Sequence, residues 1–277
     1  MAKAKKILYV SSEILPFLPQ TDMSYLGRYL PQAIQESGGE IRLFMPKYGC
    51  INERRNQLHE VIRLSGMNLI INEIDRPLII KVASITAARM QVYFIDNEDY
   101  FQRKLIYRDE NDVFFEDNDE RGIFFARGVL ETVKKLRWKP TIVHCHGWLS
   151  HLLPMYLKKA YRDDPLFTHT RVIVSLYNDL TNTETFNESM RSKIMVPGLT
   201  NKDMEYLEQP TALNLAKTAI QYADGIVMAH PQVDNSIAEY VKSRKVPVLP
   251  YVDPQEPEST YLSDYNSFYD QILGIKK

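Results

Sequence analysis

The chain has 277 residues, 44% hydrophobic and 25% charged, enough to bury a sizeable core as one large domain or one domain with a small appendage. With 34 Lys and Arg against 35 Asp and Glu it has no global field for gripping nucleic acid, and no apolar run reaches the ~20 residues of a membrane helix, so neither partner is expected. The basic start leads into a strand without a small-residue cleavage site, and two cysteines far apart, Cys50 and Cys145, give no disulfide framework; a reducing cytoplasm is the default.

The first strand is read at Ile7–Val10, and the first helix from about Ser24 to Ser37, with Leu26, Leu30 and Ile34 on one face. Ser37-Gly-Gly39 stops that helix, and Ile41–Met45 forms the second strand, closed by Pro46. Four strands follow without a helix, at Val61–Leu64, Met67–Ile74, Leu78–Ser84 and Gln91–Ile95, which reads as a β-rich hairpin insertion. Asn118 or Asp119 caps a long helix ending near Leu136, with Lys134 and Lys135 at its negative end.

The second half alternates. Thr141–His144 is a strand, Leu149–Tyr161 a helix and Arg171–Leu176 a strand. Thr211–Tyr222 is a helix, Gly225–Met228 a strand, Val233–Ser243 a helix and Val246–Leu249 a strand. The fold class is therefore α/β: a Rossmann-like, mostly parallel sheet with helices on both faces, occupying residues 1–250. Residues 251–277 add a Pro-rich linker and a helix, Thr260–Leu273, whose Tyr261, Tyr265, Phe268, Tyr269 and Ile272 share one side. That side either packs back on the same domain, the preferred reading, or meets a partner.

Two features carry possible chemistry. Between the first strand and helix lies Leu18-Pro-Gln-Thr-Asp-Met-Ser24, where a phosphate-binding chain needs Gly, free N–H groups and a cation. Pro19 has no N–H, Asp22 is an anion, and no Gly lets a ligand approach. Thr21, Asp22 and Ser24 are read first as helix caps and second as a divergent ligand site. In His144-Cys-His146 the two imidazoles fall on one face of a strand, yet no further ligands stand at zinc spacing. A structural hydrogen-bonded pair is the preferred reading, with no metal and no cofactor.

Several strings together resemble the N-terminal domain of bacterial glycogen synthases and plant starch synthases, retaining GT-B glycosyltransferases of two Rossmann domains. They include Val10-Ser-Ser-Glu-Ile-Leu-Pro-Phe17, Met45-Pro-Lys-Tyr-Gly49 and Tyr93-Phe-Ile-Asp-Asn-Glu-Asp-Tyr-Phe101. They continue through Asp117-Asn-Asp-Glu-Arg121, Trp138-Lys-Pro140, Val143-His-Cys-His-Gly-Trp148 and Tyr222-Ala-Asp-Gly-Ile226. The resemblance implies glucose transfer from ADP-glucose or UDP-glucose to an α-1,4-glucan, with the donor held between two domains.

The departures weigh more. The family's Lys-Thr-Gly-Gly-Leu-x-Asp falls on Pro19, Gln20, Thr21, Asp22, Met23, Ser24 and Tyr25. Its His-Asp-Trp-His falls on His146-Gly-Trp-Leu149, and its Thr-Ile/Val-His-Asn on Ser175-Leu-Tyr-Asn178, so that Leu149 and Tyr177 replace imidazoles. Pro250-Tyr-Val-Asp-Pro254 stands where the family turns into its second domain, and the sequence then holds one more helix. The resemblance thus leaves His146, Trp148, Asn178 and Lys217 as relics of substrate contact, and no catalytic residue. The first expectation is a non-catalytic homologue that binds an α-glucan, a sugar nucleotide or a protein. The second is an active ADP-glucose glucosyltransferase completed by a separate protein carrying the other GT-B domain, and the third is an interaction module without sugar affinity.

Overall fold

In the computed structural model, residues 5–181, 183–256 and 258–275 are described. Seven strands run parallel: β1 (Lys6–Ser11), β2 (Glu40–Pro46), β6 (Met90–Asp96), β7 (Ile142–His146), β8 (Arg171–Leu176), β9 (Gly225–Met228) and β10 (Val248–Leu249). With β3 (His59–Glu60) and β5 (Ile74–Ile85) the sheet order is β10-β9-β8-β7-β1-β2-β6-β5-β3, and β4 (Met67–Ile71) pairs with β5. The central strands are apolar runs with both faces buried, as helix-covered parallel strands require. The chain winds outward from β1 in both directions, so the strand order reverses between β1 and β7.

The hairpin region departs from the expected four-strand insertion. Gln91–Ile95 belongs to β6, which pairs in parallel with β2 and so is core. Val61–Leu64 is a turn, closed by the Leu64 N–H donating to the Val61 carbonyl at 2.8 Å. Ile62 is 83% exposed while Leu64, which would share its side of a strand, is buried, so no face of the segment is consistently inward. The chain reverses at Asn72-Glu73, both at positive φ (52° and 61°), so the expected strand to Ile74 ends at Ile71. β5 then runs Ile74–Ile85, through Pro77, rather than starting at the expected Leu78.

The long helices are α1 (Asp22–Glu36), α3 (Asn118–Leu136), α6 (Ala212–Gln221), α7 (Asn235–Ser243) and α8 (Tyr261–Leu273). Short helices were not expected at α2 (Glu98–Phe101) and α5 (Met190–Ile194). The expected helix Leu149–Tyr161 breaks into a 3₁₀ turn, Trp148–Ser150, and a short α4, Leu153–Lys158. At α3 the cap position is Asp117 rather than Asn118 or Asp119. The Asp117 side chain makes no cap bond there and instead pairs with Arg103 at 2.5 and 2.6 Å. Asn118 and Asp119 go inward, to Arg121 at 2.6 Å and to Lys193 at 2.9 Å.

The last helix lies with Tyr261, Tyr265, Phe268, Tyr269 and Ile272 buried. Gly225 opens β9 because a Cβ there would stand 2.6 Å from Ile272 Cδ1 and 3.0 Å from Phe268 Cζ. Removing the Phe268 ring therefore leaves a hole against a backbone that cannot close it. Phe268→Ala is expected to lower unfolding free energy by about 3–5 kcal/mol. Urea titration checks this, and a loss below ~1 kcal/mol would mean that α8 is not seated on β9.

Candidate functional site

In an open parallel sheet, ligands enter outside the carboxyl ends of the strands where the strand order reverses. A cavity of about 330 Å³ lies there. Glu13 enters from the turn after β1, Thr21, Asp22 and Met23 from the start of α1, Tyr177, Asn178 and Asp179 from the end of β8, and His230 from beyond β9. A second cavity of about 510 Å³ adjoins it through Tyr107, Asn178 and Asp179.

The loop that opens α1 satisfies itself. Thr21 is the cap: its Oγ1 accepts from the Ser24 N–H at 3.0 Å, while Ser24 Oγ accepts from the Thr21 N–H at 2.8 Å. Ser24 Oγ also donates to the Pro19 carbonyl at 2.9 Å. The N–H groups of Thr21 and Ser24 are therefore already bonded, and Pro19 has none to offer. Thr21 Oγ1 donates at 2.6 Å to Glu13, whose carboxyl burial pushes above its ordinary range. Gln20 donates to Gln255 at 2.8 Å, and Gln255 donates to Asp22 at 3.3 Å, so the segment after β10 reaches the cavity's rim. Tyr25 faces away, with its ring 4.4 Å from that of Tyr29.

Asp179 is the pivot of the opposite wall. Its Oδ2 accepts the Trp148 N–H at 2.8 Å, and burial raises its carboxyl to about 6. Asn178 beside it is exposed and lines both cavities. Tyr177 presents its ring to the cavity and its hydroxyl to His146 Nδ1, 2.8 Å away. Burial drives that phenol's pKa well up, with the nearby carboxylates of Asp179, Asp22 and Glu13 adding to it.

His146 and Trp148 lie beneath the cavity and line neither pocket. His146 is wholly buried, 4.0 Å from His144 ring to ring, and burial lowers it to about 3, so both of this pair stay neutral. His144 is held by Tyr269 and Ser175, each at 2.8 Å, and Tyr269 bonds on to Tyr9 at 3.2 Å. These imidazoles are hydrogen-bonded to hydroxyls, and among the described residues no group of three His, Cys, Asp or Glu side chains stands ready for a metal. Trp148 packs among Tyr107, Phe114 and Phe186, with its indole N–H unpartnered. Direct contact with a molecule in the cleft thus falls to Tyr107, not to the indole. Gly147 makes that turn possible: at φ 84°, a Cβ would lie 2.5 Å from Ser12 Oγ. Lys217 is outside the cleft, its ammonium 5.9 Å from the Tyr240 ring centre.

Glu13, Tyr107, Asp179 and His230 were not singled out in the sequence. The signal that could have found three of them is positional: Glu13, Asp179 and His230 each follow a parallel strand by two or three residues.

A profile of the starch synthase catalytic domain matches residues 6–245. The chain belongs to the starch synthase catalytic-domain family. Glycogen synthase of Chlorobium luteolum is 41% identical over 176 residues, covering 62% of this chain and 36% of that protein. Glycogen synthase of Chlorobaculum parvum is 33% identical over 235 residues, 84% of this chain and 47% of its own. The chain therefore spans between about a third and a half of the length of such relatives. The catalytic domain of starch synthase IV from Arabidopsis thaliana, solved with ADP and acarbose, superposes with a TM-score of 0.71 at 16% identity, over 90% of this chain and 52% of that one. At that identity the likeness speaks for the fold, an α/β domain of the starch synthase type.

The raised carboxyl of Asp179 makes a pH prediction. Its folded value, about 6, lies above the ordinary 3.8, so the folded chain holds a proton that the unfolded chain has released. Stability therefore falls as pH rises through that window and the loss is complete above it. Asp179→Asn keeps an acceptor for Trp148 and removes the charge. The variant is expected to melt above the parent at pH 7.5, the gap closing toward pH 4. A gap independent of pH would count against a carboxyl whose folded surroundings raise its pKa.

Proposed function

We propose that this member of the starch synthase catalytic-domain family is non-catalytic and that its cleft takes a neutral α-glucan rather than a sugar nucleotide. One observation carries the reading. Among the described residues, the cavity at the head of α1 is lined by three carboxylates, Glu13, Asp22 and Asp179, with His230 its one basic side chain and no Lys or Arg. Glucosyl transfer from a nucleotide donor develops negative charge on the departing diphosphate, which needs cations or N–H donors aimed at it. Here the N–H groups of Thr21 and Ser24 are engaged in the cap, and Asp22 is an anion.

Magnitudes decide the matter. A unit pair about 4 Å apart at an effective dielectric near 20 is worth roughly 4 kcal/mol, attractive for a lysine and repulsive for an aspartate. Any remaining neutral hydrogen bonds, at ~1 kcal/mol each, do not offset that. Sugar hydroxyls suffer no such repulsion. They can donate to the carboxylates and to Asn178 and lie against the rings of Tyr107 and Tyr177.

The first test is transfer of glucose from ADP-glucose or UDP-glucose to glycogen by the isolated chain. None is expected; product above a heat-killed control would overturn the non-catalytic reading and favour a working transferase. The second is calorimetry. Maltoheptaose is expected to bind and ADP-glucose to bind more weakly than millimolar, whereas absence of any saccharide binding would leave an interaction module. Asp22→Lys is expected to tighten ADP at least tenfold at low salt, since it turns repulsion into attraction. No change would show that the charge at Asp22 is not what keeps the diphosphate out.

A further inference from the structure

A separate cavity of about 540 Å³ opens at the other end of the sheet, where β1, β7 and β8 begin. Backbone bonds set these starts side by side: the Thr141 N–H donates to the Lys6 carbonyl at 2.8 Å, and the Arg171 N–H to the Thr141 carbonyl at 3.0 Å. Neighbouring strands stand about 4.8 Å apart, so Lys6 and Arg171 flank Thr141 across a span of roughly 10 Å. Lys139 and His169, just before β7 and β8, add two more basic side chains to the same cavity.

The lining has one sign. Among the described residues no carboxylate lines this cavity. Lys6 does meet Glu40 at 3.0 Å, but that pair is open to solvent, with 36% and 48% of its side chains exposed. Arg171 meets Asp224 at 3.2 Å, yet Asp224 is held more closely by Lys158 at 2.6 Å and by the Val172 N–H at 2.7 Å. Lys139 and His169 have no ion pair among the described residues. The remaining wall is apolar: Pro140 on one side, and on the other Leu273 and Ile275 from the end of α8. A Schellman-type closure, with the Ile275 N–H on the Asp270 carbonyl at 2.9 Å and Gly274 at φ 68°, holds that end in place.

Cations along one edge and an apolar wall along the other match an ion with two unlike ends. We propose that this cavity is a binding site for a small organic anion whose charged head, a phosphate or carboxylate, meets Lys139, His169 and Arg171 while its apolar body lies against Pro140, Leu273 and Ile275. Its volume suits a molecule of drug size. The site lies at the opposite end of the strands from the carboxylate-lined cleft, so the two select ligands of opposite character. Because α8 supplies one wall, a bound anion also ties that helix to the sheet.

The test uses the full chain and three probes, phenyl phosphate, octanoate and inorganic phosphate, followed by calorimetry at 50 mM salt. At least one of the two amphiphilic anions is expected to bind one to one, at least tenfold more tightly than inorganic phosphate. Whichever binds identifies the preferred head group. The double variant Lys139→Gln/Arg171→Gln changes exposed side chains only and is expected to lose at least tenfold in affinity while its circular dichroism stays that of the parent. Raising salt to 500 mM weakens binding in the parent. The proposal is overturned if neither amphiphilic anion binds at millimolar concentration, if inorganic phosphate binds as well as both, or if the double variant binds like the parent.

Discussion

The reciprocal bonds between Thr21 and Ser24 decide what the mouth of this sheet can do. A helix beginning at a strand's carboxyl end normally leaves N–H groups free, and a ligand's anion is one way to satisfy them. In this chain the first turn of α1 satisfies two of them with its own side chains, each residue serving as donor and acceptor to the other. The same bonds fix the loop: Ser24 ties down Pro19, and Thr21 ties down Glu13. The bonds that secure the helix start are thus the ones that occupy the Thr21 and Ser24 N–H groups.

Beneath that mouth a second set of polar groups bonds chiefly to itself, although His146 Nε2 has no partner among the described residues. His144 and His146 are buried under the cleft and are kept neutral by burial, bonded to Ser175, Tyr269 and Tyr177. Buried imidazoles are tolerable only when neutral and hydrogen-bonded, and hydroxyl partners meet that need without bringing charge. Tyr177 joins the two layers, since its ring faces the cavity while its hydroxyl is held by His146. Burial holds that hydroxyl protonated.

The sheet was legible because its strands are long apolar runs, and β8 and β9 came out with the expected ends, Arg171–Leu176 and Gly225–Met228. The hairpin was not, since two local signals competed. The gap read between Ile74 and Leu78 falls within what is in fact β5, while Asn72-Glu73, lacking Gly, conceals a turn at positive φ. In the site, Thr21 and Asp22 were visible as departures from a motif and Asn178 as a position that keeps it, and the cavity brings these three together. Asp179 escaped notice because nothing in a single carboxylate after a strand reveals its surroundings; only folding desolvates it enough to raise its carboxyl, against the lowering effect of the Trp148 N–H it accepts. Trp148 and His146 look like ligand contacts in sequence, and only packing shows the indole enclosed by three aromatic rings.

The strings that carry the family resemblance also have structural work that is independent of glucosyl transfer. Asp117–Arg121 builds the start of α3: Arg121, wholly buried, donates to the Tyr100 carbonyl at 2.8 Å and to Asn118 at 2.6 Å, while Lys193 bridges Asp119 and Glu120 at 2.9 and 3.0 Å. Removing one partner from such a cluster leaves an uncompensated buried charge, at a cost of about 3–5 kcal/mol. Trp138 likewise lies 5.3 Å from the Arg42 guanidinium, and Asn97 caps α2 through the N–H groups of Asp99 and Tyr100. Such residues hold the domain together whether or not the cleft binds a donor. Membership of the family therefore follows from the scaffold, whereas the loop positions at the strands' carboxyl ends, Pro19 and Asp22 among them, stand outside the core and set the charge that the cleft presents.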